Sequence, residues 1–71
     1  MVTAYEYKAA YSNLKVILLK KSVTQKELAQ GIGMDRATFN LKINRTNGRD
    51  FTLGEAIKIS EYLDEKIDNF F

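Results

Sequence analysis

The chain has 71 residues, 11 lysines and arginines against 9 acids, and neither histidine nor cysteine. A chain this short supports one domain with a small core and little stability to spare. Without histidine and cysteine, the commonest general base and metal ligand are missing and no thiolate or disulfide can form, so neither an enzyme nor a metal- or cofactor-dependent protein is expected.

No apolar run approaches the length of a membrane span. Met1 to Ala10 carries the charges and tyrosines of a folded segment rather than of a signal peptide, so the expected location is cytoplasmic. Proline is absent, and apolar residues recur at intervals of three and four, which predicts an all-helical domain without strands.

The first helix is expected over Ala4 to Lys21. Tyr7, Tyr11, Leu14, Ile17 and Leu18 form its apolar stripe, with Lys8, Lys15, Lys20 and Lys21 largely off it. Lys20 and Lys21 fall in the last turn, where positive charge complements the helix dipole. Solubility and dipole compensation account for these lysines, with phosphate contact as the sharper alternative.

From Val23 to Ile43 the residues spell two short helices and a turn. Thr24 and Glu27 stand at capping-box spacing, so a helix should start at Gln25, and Val23 and Leu28 occupy the two positions of a hydrophobic staple. Leu28, Ala29 and Ile32 make its apolar stripe. Gly31 and Gly33 weaken the helix where it should stop. Met34 fills the turn, Asp35 can cap the amide of Thr38 and open the second helix, and Phe39 and Ile43 share that helix's inner face.

Asn44 to Asp50 is read as a loop with its turn at Asn47-Gly48. Thr52 and Glu55 repeat the capping-box spacing, and Phe51 and Ala56 repeat the staple. Leu53, Ala56, Ile57, Ser60 and Leu63 are then the expected inner face of the next helix. Asp64 to Phe71 reads as a short last helix or turn. Phe70 and Phe71 either fold back on the core or mark a protein interface.

Charge is unevenly placed. Residues 51 to 71 carry two lysines against five acids, whereas residues 35 to 50 carry four cations against Asp35 and Asp50. Between Arg36 and Arg49 there is no acid, so a polyanion would approach there.

Gln25, Leu28, Ala29, Gly33, Met34 and Phe39 resemble the helix-turn-helix pattern of the phage repressor and Cro-type family, the lambda-repressor-like group. TFNLKIN, its loop and FTLGEAIKI resemble small phage-encoded members. One position departs: Lys42 stands where the family usually has an apolar residue, and Ile43 follows one later. The resemblance implies an all-α, compact four- to five-helix bundle built around the motif, with double-stranded DNA as partner.

A helix of this kind fits the major groove, where Arg36 can pair with guanine O6 and N7, Asn40 with adenine N6 and N7, and Ala37 and Leu41 with thymine methyls. The family's base-reading residues fall at these same places. Its phosphate contacts imply Gln25 with the loop residues Asn44, Arg45, Asn47 and Arg49. Plainer readings stand beside these: Gln25 as a first-turn residue, Arg36 in a surface ion pair, Leu41 in the core. Repressors of this type usually work as two-fold dimers, for which Phe70, Phe71, Tyr5, Tyr7, Tyr11 and Tyr62 are candidate homodimer contacts. A different class of function is a modulator or antirepressor that binds a partner phage regulator through the same fold.

Overall fold

The structure, a computed structural model, describes residues 10–71. Four α-helices, α1 (Ser12–Lys20), α2 (Gln25–Gly31), α3 (Arg36–Ile43) and α4 (Leu53–Leu63), are joined by short turns. Single 3-10 turns lie at Thr46–Gly48 and Ile67–Asn69. No strand occurs among the described residues, nor any helix long and apolar enough to cross a membrane. Tyr5 and Tyr7 lie outside the described residues.

The helix expected over Ala4 to Lys21 is observed as Ser12–Lys20, with Ala10 and Tyr11 non-helical and residues 4–9 of that expectation outside the described residues. Tyr11 is the N-cap of α1, with φ −75 and ψ 78, because its N–H donates to the Ile43 carbonyl at 3.0 Å. That bond ties the start of α1 to the end of α3, so Ala10 stays outside the helix. Both capping boxes form as their spacing predicts: Thr24 with Glu27 at α2, and Thr52 with Glu55 at α4.

Leu14, Leu28, Phe39, Ile43 and Ile59 are fully buried and bring all four helices into one core. Met34 and Phe51 pack against its edge. The inner face of α4 differs from expectation, since Leu53 is 73% and Ile57 42% exposed while Ile59 is 0%. At about 100° per residue, Ala56, Ile59 and Leu63 define the buried stripe. Leu53 and Ile57 lie roughly a quarter to a third of a turn off it.

The two terminal aromatics part ways. Phe70 is 3% exposed and belongs to the core, which removes it as an interface residue. Phe71 stays half-exposed while its ring meets Tyr11 edge-on, with centroids 4.9 Å apart. Tyr11 is buried as well, so of the described tyrosines only Tyr62 remains open to a partner.

Candidate nucleic-acid interface

The angle between α2 and α3 comes from how α2 ends. The Met34 N–H reaches back to the Ala29 carbonyl at 2.8 Å and the Gly33 N–H to Gln30 at 3.1 Å, the paired bonds of a Schellman cap. This requires Gly33 in the left-handed region, at φ +75. Gly31 serves a different need: a Cβ there would lie 2.2 Å from the Tyr62 ring. Ala29, fully buried, is small enough to let the two helices close on each other.

Asp35 then opens α3. Its carboxylate accepts from the Ala37 amide at 3.3 Å, the Thr38 amide at 3.0 Å and the Thr38 hydroxyl at 2.6 Å. The Thr38 hydroxyl first, with the two amides, holds the Asp35 carboxyl below its ordinary range. Since Asp35 is engaged by the backbone it caps, it offers Arg36 no ion pair.

Of the four residues read as base-contacting, Arg36, Ala37 and Asn40 are exposed and Leu41 is partly buried, outside the core. Phe39 and Ile43 face inward. Asn40 is not free to spin: its Nδ2 donates to Gln25 Oε1 at 3.4 Å. This places Gln25 and Asn40, from different helices, on one surface.

A second polar link was not legible in the sequence. Lys15 of α1 donates to Asn44 Oδ1 at 2.6 Å, and Asn44 Nδ2 donates to the Asn40 carbonyl at 3.0 Å. Asn44 is the C-cap of α3. Lys15 lies 29 positions before it, too far for any local pattern to pair them.

The segment without acids in sequence is not without acids in space. Lys42, at the position where the family pattern is apolar, donates to both oxygens of Glu55 at 2.8 Å. Glu55 is also the capping-box residue of α4, so one carboxylate ties α4's first turn to α3's last. Burial raises its pKa, but hydrogen bonds from Lys42 and the Thr52 amide outweigh this and leave it lowered.

Arg45 is likewise spoken for. Its guanidinium carbon lies 4.0 Å above the Tyr11 ring centroid and its Nη2 is 3.7 Å from Asp50. The Tyr11 hydroxyl donates to the same Asp50. The structure therefore gives Arg45 an internal role in place of the open loop position expected of it. Arg49 and Asn47 remain exposed in the loop, Asn47 with φ 52.

Two capped helices at a fixed angle, the second presenting exposed polar residues over a buried Phe39 and Ile43, define a helix-turn-helix domain. A family model, that of the Cro/C1-type HTH DNA-binding domain, matches residues 13–71, and the chain belongs to this family. It is by class a DNA-binding regulator, of a kind that is typically non-enzymatic. No curated protein matches the chain.

Proposed function

We propose that the protein is a sequence-specific, repressor- or Cro-like transcriptional regulator, of the sort encoded by phages, that reads the major groove of duplex DNA with α3. The observation that carries this reading is the Asn40–Gln25 bond beside exposed Arg36. With one Nδ2 hydrogen given to Gln25, Asn40 retains the other N–H and its Oδ1, the donor and acceptor needed for adenine N7 and N6. Arg36, in the first turn, takes guanine, while Ala37 and the open part of Leu41 meet thymine methyls. Gln25, Asn47 and Arg49 contact the backbone, which positions the helix without reading sequence.

A single module of this size reads few base pairs, so the working form is a two-fold dimer on paired half-sites. Among the described residues, Tyr62 and Phe71 are the exposed aromatics open to that contact. Leu53 and Ile57, exposed on α4 within the acidic third of the chain, favour a second reading in which a partner regulator docks there.

Selection from a random duplex pool, followed by mobility shifts on the enriched site, tests the first reading. Arg36→Ala and Asn40→Ala should each cost about 1–3 kcal/mol on that site and relax preference at one base pair. No enrichment at low salt, together with capture of a second regulator from the same genome, would transfer support to the second.

A further inference from the structure

The cations around α3 are not equivalent. Lys42 is held by Glu55 at 2.8 Å and Arg45 by Asp50 at 3.7 Å, so their charges are locally compensated. Lys15 donates instead to a neutral amide oxygen, that of Asn44, and has no ion-pair partner among the described residues. Its ammonium has three donors, of which this bond uses one. Lys15 and Gln25 line the same surface groove between α1 and the start of α2, and Gln25 holds Asn40. A positive charge from α1 that no described carboxylate pairs with thus stands on the face that carries Asn40.

Asn44 is engaged on both sides. Its Oδ1 accepts from Lys15 and its Nδ2 donates to the Asn40 carbonyl. One N–H and one lone pair are left, which makes it a better support than a contact.

We propose, on the reading that this face docks on duplex DNA, that Lys15 is a phosphate-binding residue of the interface and that Asn44 is a positioning residue acting through it. The ammonium's two remaining N–H donors are open to phosphate oxygens while the Asn44 bond persists. Among the described residues no carboxylate competes with the phosphate for this charge, whereas Lys42 and Arg45 each face one. Asn44 holds the flexible lysine in place before DNA arrives, so less side-chain freedom is lost on binding.

The test is equilibrium binding across a salt series, on a mixed-sequence duplex several helical turns long and on the selected site. The proteins are the parent, Lys15→Met, Lys15→Arg, Asn44→Ala and the Lys15→Met/Asn44→Ala double variant, with folding checked by circular dichroism. Each phosphate neutralised contributes about 0.9 to the slope of log affinity against log salt. Lys15→Met should lower the slope by about that amount and weaken both duplexes by the same factor, while Lys15→Arg keeps the slope. Asn44→Ala should weaken binding with the slope retained, and should add nothing once Lys15 is already methionine.

An unchanged slope in folded Lys15→Met, or additive losses in the double variant, overturns the assignment. A parent that binds no duplex at low salt overturns the DNA reading itself, and this inference with it. A parent that binds normally, with a slope indifferent to Lys15, removes only the role given to Lys15.

Discussion

Tyr11 shows how much one residue can do that its own neighbourhood in sequence does not reveal. Its place on an apolar stripe predicts burial, which is correct. The stripe says nothing of the hydroxyl, which bonds Asp50, or of the ring face, which carries Arg45. Burial first, then the Asp50 bond, raises the phenol above its ordinary pKa of 10.0, so the group stays neutral and donating. The cluster fastens the loop after α3 to the start of α1. Tyr11→Phe keeps the ring and removes the donor to a charged acceptor, and should lower the unfolding free energy by about 1–3 kcal/mol. Urea unfolding measures this as a lower midpoint at unchanged slope. A midpoint equal to the parent's would mean that water replaces the hydroxyl without cost.

At the scale of the element, a helix beginning is legible where a capping box marks it and a helix end where glycine does, whereas the start of α1, at Tyr11 with no side-chain cap, is marked by neither. A capping box needs two particular side chains three residues apart, so Thr24 with Glu27 and Thr52 with Glu55 announce themselves. An end needs one residue in the left-handed region, and only glycine advertises that willingness. Ser22, Gly33, Arg45 and Asp64 all adopt it, at φ 56, 75, 53 and 53. At Ser22 and Asp64 the backbone closes as it does after α2, with Val23 N–H to Leu18 and Glu65 N–H to Ser60. Tertiary packing imposes the conformation on residues that would not choose it. The two kinds of end should respond oppositely to substitution. Gly33→Ala adds a Cβ at positive φ and should cost about 1–2 kcal/mol. Ser22→Gly removes the same strain, partly offset by a freer unfolded chain, and should stabilise by up to about 1 kcal/mol. Thermal melts of the pair decide it, and a stabilised Gly33→Ala would contradict the cap described above.

The ties between elements were the least legible level, for a physical reason. Lys42–Glu55 and Arg45–Asp50 bridge different segments, and a charge's partner across a fold is set by packing rather than by spacing. Linear charge counting therefore reads positions 36 to 49 as free of acids, although Glu55 and Asp50 meet Lys42 and Arg45 across the fold. The logic of the proposed recognition face is local by contrast: a cap at Asp35, inward Phe39 and Ile43, and outward Arg36 and Asn40 on one short helix.

Across the whole molecule the titrating groups predict a broad stability plateau with two edges of opposite origin. The chain contains no histidine or cysteine, the side chains whose ordinary pKa values lie nearest neutrality. On the acid side, Asp35, Glu55 and Glu65 all sit below their ordinary values of 3.8, 4.5 and 4.5. For Glu65 the main cause is the Asn69 hydrogen bond, which with help from Lys21 outweighs desolvation. As pH falls past those ordinary values the unfolded chain takes up protons that the native carboxylates refuse, and stability declines until the native values too are passed. On the alkaline side Tyr11 has the opposite sign. Its raised pKa adds stability that is intact below the ordinary value and lost as pH rises through the native one. Melting temperature should therefore be flat between about pH 6 and 8 and fall on both flanks, and Tyr11→Phe should soften only the alkaline edge. A pronounced slope near neutrality, or an alkaline edge indifferent to Tyr11, would show that groups other than these set the molecule's proton balance.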